Sequence, residues 1–139
     1  MVQCTPTFKG KVIKVNLNAN NSNAAVNPTV ISVTVGGKYS SLSSAQVTAK
    51  GASFVGWFTT SSGGTKVTED TEVTQNGEHT LYAHWRMNTY SVAFDANGGI
   101  GAMESMDLTV NKPAVLTACG FTRFDSDFVG WAIEPEGEV

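Results

Sequence analysis

Phe54-Val55-Gly56-Trp57 returns as Phe128-Val129-Gly130-Trp131, and a chain that repeats a motif in this way is constrained to fold as two copies of one small unit. The flanking sequence repeats as well. An opening strand pattern, Ile13-Lys14-Val15-Asn16-Leu17, returns as Tyr90-Ser91-Val92-Ala93-Phe94, and Val33-Thr34-Val35 returns as Leu108-Thr109-Val110. These landmarks recur at an interval of about 75 residues, the mark of tandem modules. With 139 residues in all, each module is close to the size at which a single core becomes marginal. Function is therefore to be sought in what a repeated module does.

Alternation decides the fold class. From Lys11 to Asn18, Ile13, Val15 and Leu17 fall on one face while Lys14, Asn16 and Asn18 fall on the other, the period of a half-buried strand. Val30 to Val35 predicts a second strand, Phe54 to Phe58 a third, and Thr65-Lys66-Val67 a short one after the Ser61-Ser62-Gly63-Gly64 turn. The stretch Thr80-Leu81-Tyr82-Ala83-His84-Trp85 closes the first module, with Leu81, Ala83 and Trp85 on one face and Tyr82 and His84 on the other. Asn20-Asn21-Ser22-Asn23 and Asp95-Ala96-Asn97-Gly98-Gly99 break the two copies in the same place, since Asn and Gly tolerate positive φ. Leu42 to Ala49 fits either a short helix or an irregular crossover. The boundary falls at Met87-Asn88, and so short a linker predicts a semi-rigid pair.

Charge narrows the class of partner. Only 15% of residues are charged, against roughly 25% in typical soluble proteins, so Ser, Thr and Asn supply much of the polar surface. Every acidic residue lies at or after Glu69, whereas Lys9, Lys11, Lys14, Lys38, Lys50 and Lys66 precede it. These lysines are scattered and carry no interleaved aromatic platform, which argues against nucleic acid. No run approaches the ~18 apolar residues of a membrane span, so direct membrane insertion is not expected. The residues after Met1 lack the apolar stretch of a signal peptide, and the chain reads as a piece of something longer.

Ordered together, Tyr90-Ser91-Val92-Ala93-Phe94-Asp95-Ala96-Asn97-Gly98-Gly99, the Phe-x-Gly-Trp element, the Gly63-Gly64-Thr65 turn and Thr80-Leu81-Tyr82-Ala83-His84-Trp85 resemble the Listeria-Bacteroides repeat, the internalin-type B-repeat. The resemblance runs from Lys11 onward. It implies a mainly β, β-grasp-like module strung in tandem along bacterial secreted or cell-surface proteins, where it serves as a stalk, a spacer or an adhesion module. Residues 1–10 are then a lead-in, 11–87 the first module and 88–139 the second. The first copy departs from the family pattern at Asn18-Ala19-Asn20-Asn21, where Asp-x-Asn-Gly-Gly is usual. The second reaches Val139 before a Leu-Tyr-Ala-x-Trp strand, so it is expected to be incomplete and its open edge to self-associate. The implied partner is a host or cell-surface protein, and the location is extracellular or at the cell surface.

The residues of the motif are read as structural: Phe54, Gly56, Trp57, Leu81, Tyr82, Ala83, Trp85, Phe94, Gly98, Gly99, Phe128, Gly130 and Trp131. Trp57 and Trp131 share one repeat position, and a residue fixed by the repeat is most simply part of the packing. The alternative is a carbohydrate-binding module that uses exposed aromatics to stack on sugar rings. His79 and His84 point to opposite faces of one strand, which spoils them as a metal pair and leaves a solvated pair. Asp95 supplies one carboxylate to a turn that resembles a calcium loop, whereas that cation takes about six to eight oxygens. Asp125-Ser126-Asp127 with Glu134, Glu136 and Glu138 reads as a solvated acidic edge, since nothing specifies a cleft around it. Gly63-Gly64-Thr65-Lys66 precedes a strand and not the helix of a phosphate loop. Cys4 and Cys119 have no matching positions in the repeat and read as free thiols. Neither a catalytic residue, a metal ligand nor a cofactor is expected, and the chain is read as no enzyme.

Overall fold

The computed structural model describes residues 1–135. It is mainly β and divides into two compact units, Met1–Met87 and Asn88–Val139. Unit 1 holds strands β1 (Val12–Asn18), β2 (Ala24–Asn27) and β3 (Val30–Thr34), a 3-10 turn at Ser40–Ser44, and strands β4 (Gln46–Ala49), β5 (Ala52–Phe58), β6 (Lys66–Val67) and β7 (His79–Met87). Unit 2 holds β8 (Thr89–Val92) and β9 (Met106–Thr109).

Strands β3-β1-β7-β5-β6 form a five-stranded sheet in that order. The first and last of these strands along the chain, β1 and β7, run parallel at the sheet's centre, with Val15 opposite His79 and Leu17 opposite Leu81. Antiparallel partners flank that pair, β3 on β1 and β5 on β7. Such a parallel centre is compatible with the β-grasp-like expectation, although the crossover is the 3-10 turn and β4 in place of a long helix. Alternation explains which face is buried. Ile13, Val15 and Leu17 of β1, Ile31 and Val33 of β3, Trp57 of β5, Val67 of β6, and Leu81 and Ala83 of β7 all enter one core. Tyr39, Leu42 and Val73 cover it from the connecting segments, and Val26 and Val47 pack against it from the two-stranded β2-β4 sheet.

Two differences from the sequence reading have local causes. The open segment Leu42 to Ala49 is neither of its two candidates alone, since the 3-10 turn holds Leu42 in the core and β4 then pairs with β2. Strand β2 leaves little trace in the sequence, because Ala24-Ala25-Val26-Asn27 offers a single large apolar residue to show its period. The second difference is larger. Phe54 to Phe58 lies in a strand paired with β7, whereas Phe128 to Trp131 lies in none. Among the described residues of unit 2 none is buried, and β8 pairs with β9 alone.

Candidate functional site

The aromatic residues of the motif converge on the core face of unit 1. Trp57 is only 4% exposed. Phe54 lies edge-on to it at 5.5 Å and bridges to Trp85 at 5.6 Å. The indole N–H of Trp85 donates to Ala19 O at 2.7 Å, so its polar edge is satisfied inside the fold and not by a ligand. Leu81 and Ala83 are buried beside them. Gly56 sits at the irregularity between Phe54 and Gly56 in the β5-β7 ladder, with φ +153, and a side chain there would meet Lys66 Cε at 2.6 Å. Phe54 itself is 40% exposed and covers the rim of the cluster.

Unit 2 carries the same aromatic arrangement with less cover. Phe128 stands 5.1 Å from Trp131 at 64°, close to the 5.5 Å and 65° of Phe54 and Trp57. Phe94 and Phe121 also contact Trp131, which is half-buried, while Phe128 is exposed. The turn before them is built alike in both units. Asp95 Oδ1 accepts from Asn97 N–H at 2.6 Å, as Asn18 Oδ1 accepts from Asn20 N–H at 2.8 Å. The departure of the first copy from Asp-x-Asn-Gly-Gly therefore changes the residue and keeps the turn. Gly98 takes φ +80, and a side chain on Gly99 would approach Thr122 O to 2.8 Å, which accounts for both glycines.

The opposite face of the unit 1 sheet presents groups that the sequence reading did not connect. Phe58 and His84 stack at 3.9 Å with rings 10° apart, and Phe58 lies opposite Tyr82 across the ladder. His84 Nε2 lies 2.9 Å from Thr60 O. His79 occupies the core side, bonded to Tyr39 Oη and Gly77 O. The two histidines do face apart, but each is half-buried and partnered, so the solvated pair is corrected: contacts with Phe58 and Tyr39 shield part of each ring from water. The first contact depends on the β5-β7 register, which no local pattern in the sequence encodes. At the end of the sheet, Asn20, Ser22, Ser61, Ser62, His84 and an edge of Trp85 line an open shelf of about 470 Å³.

The remaining candidates stay apart from one another. Asp125 and Asp127 are exposed at a tight turn bridged by Arg123 and Ser126, and Glu134 is exposed. Glu136 and Glu138 lie outside the described residues. No group of three or more His, Cys, Asp and Glu able to hold a metal occurs among the described residues. Cys4 and Cys119 are free. No helix among the described residues is long and apolar enough to cross a membrane.

Residues 14–84 and 90–139 each match the Listeria-Bacteroides repeat domain, which accounts for the doubled core motif and the doubled turn. The chain belongs to the Listeria-Bacteroides repeat family. Internalin H of Listeria monocytogenes serovar 1/2a (strain ATCC BAA-679 / EGD-e) is 29% identical over 128 residues, which cover 91% of this chain and 22% of that protein. The chain thus spans under a quarter of the relative's length.

Proposed function

We propose that these repeats form a non-catalytic part of a bacterial secreted or cell-surface protein and act as a stalk, a spacer or an adhesion module through protein contacts. The observation that carries this reading is the fate of the tryptophans. Trp57 is spent on the core, and Trp85 turns its N–H to the backbone of Ala19. A sugar-binding sheet would need such rings flat and open. The family match and the likeness to a Listeria internalin support this reading.

A carbohydrate-binding alternative is favoured by one observation, the stacked Phe58 and His84 beside the amide- and hydroxyl-lined shelf. The two readings separate on a glycan array probed with the intact chain. The protein-contact reading expects no saturable glycan. Saturable binding that Phe58→Ala abolishes without lowering the melting temperature would assign the module to sugars.

A further inference from the structure

We propose that Met103, Met106 and Cys119 form a binding site in unit 2 for a soft monovalent cation, Cu(I). The three sulfurs belong to two facing segments, 103–107 and 117–120. Gly120 N–H donates to Met103 Sδ at 3.2 Å, and the Thr117 hydroxyl donates to Met106 Sδ at 3.7 Å. A donor approaches a thioether along a sulfur lone pair, so both sulfurs direct a lone pair at the short stretch that carries Cys119. Cys119 Cα is one backbone step from Gly120 N, which puts it within about 6 Å of Met103 Sδ. Rotation about χ1 is then the adjustment that brings its thiol, which donates to Phe121 O at 3.7 Å, toward the thioethers.

Burial sorts the donor atoms by kind. Within Met103-Glu104-Ser105-Met106-Asp107 both thioethers are half-buried, while the two carboxylates and the hydroxyl are exposed. From Asn111 to Gly120, Cys119 alone is half-buried. Oxygen donors thus face water and sulfur donors turn inward. Calcium and magnesium take oxygen ligands, and zinc takes thiolate, imidazole and carboxylate. A set of one thiolate and two thioethers selects Cu(I) instead, because soft ligands favour that ion. Binding moves no electron: Cys119 releases its thiol proton to water, the thiolate and Cu(I) cancel in charge, and each thioether contributes a lone pair. The loaded site is neutral, which suits a half-buried position where a net charge is costly.

Packing alone does not call for sulfur at these positions. Methionine fills irregular gaps in cores, yet among the described residues the core of unit 1 contains neither Met nor Cys. With Val33-Thr34-Val35 set on Leu108-Thr109-Val110, the residues of unit 1 that match Met103 and Met106 are Pro28 and Ile31. The glycine at position 120 leaves the first thioether its room, since a side chain there would approach Met103 Cγ to 3.3 Å.

The test adds Cu(I) to the intact chain without oxygen, in competition with the Cu(I) chelator bathocuproine disulfonate, and follows the methionine methyl resonances in the same samples. A single Cu(I) per chain is expected, with the methyl signals of Met103 and Met106 shifted and those of Met1 and Met87 unmoved. X-ray absorption should show a first shell made of sulfur alone. Cys4→Ser should leave binding unchanged, whereas Met103→Leu, Met106→Leu and Cys119→Ser should each weaken it about tenfold or more. Leucine is close to methionine in volume, and the metal-free amide spectrum of unit 2 checks that each variant keeps its fold. Where one does not, the methyl shifts and the sulfur shell of the wild type decide. Failure to hold Cu(I) against the chelator, binding that survives both leucine substitutions, or binding lost in Cys4→Ser would overturn the proposal. So would one ion shared between two chains, or methyl signals that move equally at all of these methionines.

Discussion

Tyr39 Oη lies 2.8 Å from His79 Nε2, joining the segment that covers the core to the strand at its centre. His79 Nδ1 is 2.9 Å from Gly77 O, and a carbonyl only accepts, so Nδ1 carries the hydrogen and Nε2 accepts from the phenol. Burial raises the Tyr39 pKa above its ordinary value of 10.0. A raised folded pKa contributes stability that is fully present below the unfolded value and lost as pH rises through the folded one. Urea melts should therefore show the wild type losing stability above about pH 10. Tyr39→Phe should be less stable by about 1 kcal/mol at pH 7 and show a shallower alkaline decline. Parallel pH profiles for the two proteins would contradict this role.

Trp57→Ala should act through the core. Truncation of a buried aromatic costs about 3 kcal/mol or more, and Phe54 loses its edge-on partner in the same step. A melting temperature lowered by several degrees, with no change on a glycan array, is the expected pair of results. An unchanged melting temperature would mean that the core does not depend on Trp57.

Gly56→Ala separates two possible costs. The added methyl meets the flexible end of Lys66, which can move aside, whereas φ +153 belongs to the backbone and cannot. The loss should be about 1–3 kcal/mol, and Lys66→Ala should not recover it. Full recovery in the double variant, read from denaturant midpoints, would place the cost in side-chain crowding instead.

Much of the sheet was legible because its strands are amphipathic at period two. Ile13, Val15 and Leu17 announce a buried face, and Leu81 and Ala83 announce the strand beside it. The repeat itself carried the reading of Trp57 as core. What stayed hidden depends on distance along the chain. Tyr39 meets His79 and Phe58 meets His84 through pairings that no local pattern encodes. Phe128 to Trp131 shows the converse limit, since the motif that forms a strand in one unit forms none in the other. Strand formation there depends on a neighbour, because a ladder takes up the N–H and C=O of alternate residues on the side it pairs.

The two units should differ in stability within one molecule. Unit 1 closes its sheet around fully buried Val15, Val73 and Leu81, and burying a side chain of that kind contributes roughly 1.5–3 kcal/mol. Unit 2 has no buried residue among those described, and its aromatic cluster stays in reach of water. Native-state hydrogen exchange should therefore protect the Leu81 amide far more strongly than those of Val92 and Phe128, with unit 2 opening first under mild denaturant. Protection that is equal in the two units, or stronger around Phe128, would mean that the exposed cluster is not the weak point of the chain.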